Sequence, residues 1–115
     1  MKFMVLFRSS ASAADQMESG ATPEQQEAGM KAWTDWFRKA GDSVVDGGSP
    51  LGDSHLVPGS ATQPKGSYIG GYTILECGSL AAVMDLLKDH PHFHSPDAAI
   101  EVLECLPMPG SGAAA

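Results

Sequence analysis

The chain carries little positive charge. It has 7 lysines and arginines against 14 aspartates and glutamates in 115 residues, which gives a formal net charge of -7. The cations are also scattered along the sequence, whereas proteins that bind a phosphate backbone cluster them. We therefore expect no nucleic acid among the partners of this protein.

Long apolar runs are missing as well. No stretch reaches the roughly 20 apolar residues that a membrane-spanning helix needs, and the run Phe3–Phe7 is too short for a signal-peptide core and lacks a cleavage pattern.

The chain has only two cysteines, Cys77 and Cys105, which are too far apart for a CxxC pair. Isolated cysteines are typical of buried thiols in a reducing compartment. These absences predict a cytoplasmic protein that does not enter a membrane.

What the sequence does provide is enough chain for one core. A domain of this length buries roughly two-thirds of the surface that its unfolded chain exposes, so folding needs neither a disulfide nor a structural metal. Apolar patterning extends over residues 1–106, whereas 107–115 contains mainly proline, glycine and alanine. We predict one domain over 1–106 and a flexible C-terminal tail over 107–115.

Local signals place six elements along the chain. The run Lys2–Arg8 is apolar on both faces, which predicts a central strand. Thr22, Pro23 and Gln25 supply an N-cap, a first-turn proline and a capping-box partner, so a helix is predicted over 23–40, where Gly41 ends it. The other predicted elements are a strand over 43–46, a long loop or weak hairpin over 49–67, a strand over 69–77 whose glycines indicate a bulge or close backbone approach, a helix from the Ser79 cap to about Asp89, and a strand over 98–106.

The predicted order β-α-β-β-α-β is that of the ferredoxin-like plait, an α+β fold with an antiparallel sheet. Two helices cover only one face of a four-stranded sheet, yet the opening strand is apolar on both. We therefore predict that a second copy covers the other face, which makes a homodimer with a dimeric α+β barrel. In the strand order 4-1-3-2 the opening strand separates the two cysteines by about 10 Å, beyond the reach of a disulfide, so both thiols should be free.

Spacings of three and four mark the helix faces that we expect to be buried. These residues are Met30, Trp33, Phe37 and Ala40 in the first helix, and Leu80, Val83, Met84 and Leu87 in the second. On this pattern Trp33 belongs to the core. Trp36 is instead predicted to line a cavity or the dimer seam, as a ligand-binding residue.

Three of the four histidines lie within five residues, at His90, His92 and His94. Alternate side chains of an extended segment leave the backbone on the same side, so these rings are predicted to converge on a small acid or a metal. The competing interpretation is that they are ordinary helix-end and loop histidines, whose positive charge suits a helix C-terminus. A fourth ligand at a matching spacing is not evident and Pro91 limits chelation, so we predict ligand-binding histidines without a metal site or cofactor.

The candidate catalytic residues are His92 and Asp46, with Asp46 orienting the imidazole as in an acid-base pair. An aspartate before two glycines is also the usual turn residue that bonds its own backbone, so both interpretations stay open. Arg8, at the end of a central strand, is either an anchor for an anionic ligand or a solvated strand end. Tyr72 in the third strand completes the candidate ligand-binding residues.

The chain resembles the YCII-related family, in particular its branch with the DGPF motif. The segments that carry the resemblance are, in order, Met1–Phe7, Lys39–Gly41, Val45–Leu51, Ile69–Tyr72, His90–His92 and Ile100–Val102. The resemblance covers about residues 1–106 and implies a dimeric ferredoxin-like α+β barrel. It also carries over the positions of His90, His92 and Asp46.

Two features of the family are replaced in this chain. Gln63–Tyr68 stands where the branch has its DGPF motif, and Met30 stands where the resemblance places a histidine of the first helix. Two functions therefore stay open. The protein binds or acts on a small molecule through His92 and Asp46, or it is a non-catalytic dimeric module, for example one linked to transcription regulation. A concave, partly apolar cavity that holds a histidine with a perturbed pKa favours the first.

Overall fold

The computed structural model describes residues 1–10, 22–61, 68–95 and 97–109 of the chain. Its elements are strand β1 (Lys2–Ser9), helix α1 (Pro23–Ala40), strands β2 (Val44–Asp46) and β3 (Tyr68–Glu76), helix α2 (Leu80–Leu87) and strand β4 (Ala99–Glu104), with short 3₁₀ helices at Gly41–Ser43 and Pro91–His94. The predicted element order is confirmed, with small shifts at the ends. The predicted loop over 49–67 and the tail over 107–115 lie partly outside the described residues.

The four strands form one antiparallel sheet in the order β2-β3-β1-β4. Because both helices contribute to the core on one face of this sheet, the structure is the predicted ferredoxin-like α+β fold with strand order 4-1-3-2. The pairing of β1 with β3 shifts register between Phe7 and Arg8, where Gly70 is the additional residue. The bulge indicated by the glycines of β3 is therefore confirmed.

Both cysteines are free, as predicted, and they are half-buried instead of buried. They flank β1 on opposite sides, because the Cys77 amide donates to the carbonyl of Met1 at 3.0 Å and the Cys105 amide donates to that of Lys2 at 2.9 Å. The opening strand thus keeps the two thiols apart.

The helix starts follow the local signals. Thr22 Oγ1 accepts a hydrogen bond from the Gln25 amide at 3.1 Å, and Gln25 Oε1 accepts one from the Thr22 amide at 2.9 Å, which completes the capping box. Ser79 Oγ accepts from the Ala82 amide at 3.1 Å and begins α2 in the same way.

The core lies between the sheet and the two helices. Its buried apolar residues are Phe3, Val5, Phe7, Trp36, Ala40, Leu75, Val83 and Leu87. The indole of Trp36 also donates to the carbonyl of Leu86 at 3.1 Å, which ties α1 to α2. Burying the indole costs little because its single N–H is paired.

The structure corrects the predicted helix faces. Met30 is 73% exposed, because the buried stripe of α1 is confined to its C-terminal half and residues 22–31 lie outside the core. Trp36 is buried, whereas Trp33 is only half-buried, so their predicted places are exchanged. In α2 the side chains of Leu80 and Met84 are about half exposed, and Val83 and Leu87 face the core.

The second face of the sheet carries apolar side chains that neither helix covers. We call it the open face. Alternation along β1 and the register of its neighbours place these apolar residues on it: Met4, Leu6, Ile74 and Leu103. Within the described ranges, neither helix is long and apolar enough to cross a membrane.

Candidate functional site

A cavity of about 300 Å³ lies between α1 and the region where β1 ends and β3 begins. Three aromatic side chains form its apolar wall, namely Phe7 of β1 and Trp33 and Phe37 of α1. The remaining lining consists of small or polar residues, which are Ser9, Gly47, Gly48, Ser49, Pro50, Gly70, Gly71, Tyr72, Thr73 and His92. The cavity thus pairs an aromatic wall with a polar, glycine-rich edge.

The glycine-rich edge depends on close backbone contact between the segment after β2 and β3. Gly48 has a φ of 70°, and a Cβ there would lie 1.7 Å from the carbonyl oxygen of Tyr72. The amide of Leu51 donates to the carbonyl of Gly70 at 2.9 Å, and Thr73 Oγ1 donates to the carbonyl of Gly47 at 3.2 Å. Only glycine fits at position 48, so this edge of the cavity is built from backbone.

Asp46 supports this edge as a turn residue. Its Oδ1 accepts from the Gly48 amide at 2.8 Å, and its side chain is exposed. Within the described part of the chain, no hydrogen bond joins Asp46 to His92. Of the two interpretations given to Asp46, the backbone-bonding turn is the one that its contacts match.

His90 lies behind the aromatic wall and is 1% exposed. Its ring centroid is 4.5 Å from those of Trp33 and Trp36 and 4.8 Å from that of Phe7. Nδ1 accepts from the His92 amide at 2.9 Å, while Nε2 is buried without a hydrogen-bond partner among the described residues. Burial, and to a lesser degree the charges of His92 and His94, lower the pKa of His90 to about 4.

His92 is the ionisable imidazole on the cavity wall. Its Nε2 lies 2.9 Å from the carbonyl oxygen of Arg8, and because a carbonyl can only accept, this nitrogen carries the proton. In the neutral ring Nδ1 is then an acceptor, and no described residue donates to it. Because His92 lines the cavity, its imidazole adds an acceptor to a lining that also contains Ser9, Ser49 and Thr73.

The three clustered histidines do not converge on one point. They lie in the 3₁₀ helix Pro91–His94 and at its N-cap rather than in an extended segment. The rings of His90 and His92 both pack against Phe7 and Trp33. His90 is buried behind the wall, His92 is on it, and His94 is exposed. Across the described ranges, no group of three or more His, Cys, Asp or Glu side chains is placed to hold a metal ion.

Two other predicted residues lie elsewhere. Side chains alternate along β1, so the Arg8 side chain lies on the face of the sheet opposite that of Phe7. There its guanidinium forms an ion pair with the carboxylate of Glu101, with a nitrogen–oxygen distance of 3.1 Å. Its backbone carbonyl nevertheless serves the site by orienting His92. Of the predicted ligand-binding residues Tyr72 and Trp36, Tyr72 belongs to the cavity lining and Trp36 does not.

Sequence reasoning assigned Trp33 and Phe37 to the core and missed their place on the cavity wall. Two glycine pairs in the sequence, Gly47–Gly48 and Gly70–Gly71, could have indicated this cavity. Such pairs allow two backbone segments to approach each other closely. A helix that packs over glycines meets no side chains that could fill the space below it. A cavity therefore remains beneath the aromatic residues of the helix.

Neither a known family nor a curated protein sequence matches the chain. Among solved structures, the chain is similar to the 5-chloro-2-hydroxyhydroquinone dehydrochlorinase TftG from Burkholderia phenoliruptrix, in complex with 2,5-dihydroxybenzoquinone. The match has a TM-score of 0.54 and 17% sequence identity, and covers 91% of this chain and 93% of TftG. At this identity the match shows a shared fold.

Proposed function

We propose that this protein binds a small, flat, uncharged molecule in the cavity and holds a hydroxyl group of that molecule with His92. The observation that carries the proposal is the combination of the aromatic wall of Phe7, Trp33 and Phe37 with His92, whose Nε2 is held by the Arg8 carbonyl so that Nδ1 is left as an acceptor. Binding pockets in proteins commonly have this composition, with apolar walls and few polar groups that set orientation.

The size and charge of the cavity support the class of ligand. A volume of about 300 Å³ suits a molecule of one or two rings. Among the described residues that line it, no side chain is a carboxylate, lysine or arginine. A buried ionic group without a partner is costly, so an uncharged ligand is favoured over an anion or a cation.

The contacts of His92 support an acid-base role for the same residue. The carbonyl of Arg8 fixes the protonated nitrogen, as the second partner of a catalytic histidine does, and Nδ1 is left to accept a proton from a ligand hydroxyl. Asp46 was the residue expected to orient His92, but its carboxylate is engaged with Gly48. In this proposal the Arg8 carbonyl takes that place.

The named substrate of TftG is a substituted hydroquinone, and its structure holds a hydroxylated quinone ring. We propose that this chain binds the same general class, hydroxylated six-membered rings. Hydroquinone is a suitable probe because it is uncharged at neutral pH, and 4-hydroxybenzoate is its matched anionic counterpart.

Tryptophan fluorescence tests the proposal, because Trp33 lines the cavity and Trp36 does not. Hydroquinone should change the emission of the wild-type protein and of the Trp36→Phe variant to saturation, but not that of Trp33→Phe. The His92→Phe variant should bind about fivefold more weakly, since one hydrogen bond contributes about 1 kcal/mol. No saturation with hydroquinone, or tighter binding of 4-hydroxybenzoate, would contradict the proposal.

The open face supports a second proposal, that two copies associate through it. Its central residues Met4, Leu6 and Ile74 are apolar and only half-buried in one copy. An antiparallel sheet with two apolar faces needs a cover on each, and a second copy supplies an identical apolar surface. This homodimer suits either function, a ligand-binding protein or a non-catalytic module, and the hydroquinone titration separates them.

The two free thiols support a cytoplasmic location.

A further inference from the structure

His90 is buried at a cost that packing does not explain. Its Nε2 has no partner among the described residues, and a buried polar group without one is unfavourable. A phenyl ring has nearly the same shape and would fill the space between Phe7, Trp33 and Trp36 without that cost. The polar atom that does have a function is Nδ1.

Nδ1 of His90 accepts from the His92 amide at 2.9 Å and so caps the 3₁₀ helix Pro91–His94. Pro91, between the two histidines, fixes φ and has no amide hydrogen to compete for the cap. The side chain of His92 is held separately, through Nε2 on the Arg8 carbonyl. The backbone of His92 is therefore tied to a ring that three aromatic side chains clamp, and its imidazole is tied to β1.

We infer that His90 is a positioning residue, which fixes the turn so that His92 bonds the Arg8 carbonyl through Nε2 and keeps Nδ1 as the acceptor at the cavity. Its value for ligand binding rests on the proposed function, whereas its effect on His92 does not. The titratable groups near the His90 ring are His92 and His94 of its own turn, and the groups packed against it from α1 and β1 are aromatic rings. The pKa of about 4 keeps Nδ1 unprotonated, and the cap intact, throughout the neutral range.

Two variants separate the cap from the ring. His90→Phe keeps a ring and removes the acceptor, and His90→Asn removes the ring but keeps an acceptor in the place of Nδ1. His55→Asn, in the exposed loop after β2, is the matched control. The readouts are the tautomer of His92, from nitrogen-15 NMR, and the hydrogen-exchange protection of its amide.

In His90→Phe the His92 amide should lose about fivefold in protection, because one hydrogen bond is removed, and the ring of His92 should become a mixture of tautomers. His90→Asn should retain the protection of the wild type within about twofold, and His55→Asn should change neither readout. A folded His90→Phe variant that keeps both the protection and the Nε2–H tautomer overturns the inference.

If His90→Phe does not fold, acidification of the wild-type protein gives the same test. Protonation of His90 near pH 4 should remove protection from the His92 amide while the amides of β1 keep theirs. Unchanged protection of His92 after His90 is protonated overturns the inference. Failure of hydroquinone to bind the wild type overturns the proposed function alone, because neither NMR readout needs a ligand.

Discussion

The unfolding free energy should fall as the pH is lowered, and His90 should cause a defined part of that fall. Burial lowers the pKa of His90 from the ordinary 6.5 to about 4 in the folded protein. Between these values the unfolded chain binds a proton at His90 and the folded chain does not. The contribution of His90 to stability is therefore complete above pH 6.5 and is lost as the pH falls toward 4.

The size of this contribution follows from the two pKa values. Each pKa unit corresponds to about 1.4 kcal/mol, so the difference between 6.5 and about 4 represents about 3 kcal/mol. A domain is typically stable by about 5–15 kcal/mol in total. Acidification to pH 4 should therefore remove a substantial part of the stability through this one side chain.

Urea unfolding at a series of pH values, at one protein concentration, measures the effect. The carboxyl groups of Asp35 and Asp85 also contribute, because hydrogen bonds from Lys31 and Lys88 lower their pKa values and their stabilisation is lost at low pH. The His90→Phe variant keeps these carboxylates, so the difference between wild type and variant isolates His90. That difference should change by about 1.4 kcal/mol per pH unit between 6.5 and about 4.

A difference that does not change with pH would refute the reasoning. The opposing effect is attraction between a protonated His90 and the faces of Trp33 and Trp36, which reaches about 2 kcal/mol or more for a desolvated cation. A flat difference would mean that this attraction offsets the cost of burying the charge.

Three further outcomes are expected. Gly48→Ala should lower the unfolding free energy by about 2–3 kcal/mol, because a Cβ meets the Tyr72 carbonyl and φ is positive. The control Gly52→Ala, in open space, should leave it within about 0.5 kcal/mol. Equal urea midpoints for the two variants would contradict the packing of this edge of the cavity. Sedimentation at micromolar concentration should show a dimer for the wild type and a monomer for Leu6→Lys, and a monomeric wild type would contradict the proposed cover of the open face. Ellman's reagent in denaturant, after purification without reductant, should count two thiols per chain, whereas none in a monomeric species would contradict the strand order.

Local signals were sufficient for the elements and their order. The capping box of Thr22 and Gln25, the Ser79 cap and the apolar run of β1 act through neighbouring residues, so they have the same effect in any tertiary context. The element order β-α-β-β-α-β then led to the strand order, because that order is typical of the ferredoxin-like plait.

The site was predictable only in part. His92, predicted as a catalytic residue, and Tyr72, predicted as a ligand-binding residue, both line the cavity. Trp33 and Trp36 were exchanged, because spacings of three and four allow more than one stripe on a helix and the crossing of α1 over the sheet selects among them. The burial of His90 and the exposure of His94 were missed because the segment forms a 3₁₀ turn instead of the extended chain that we expected.

The sequence by itself thus determined the helices, the strands, their antiparallel order and the free state of both cysteines, since these depend on local hydrogen bonding and on chain connectivity. The tertiary structure alone decided that His90 is enclosed by aromatic rings, that His92 bonds the Arg8 carbonyl, and that Asp46 turns to Gly48 instead. Those contacts join residues that are distant along the chain or depend on the path of one turn. Their geometry depends on how the helices pack on the sheet, and no local sequence pattern predicts it.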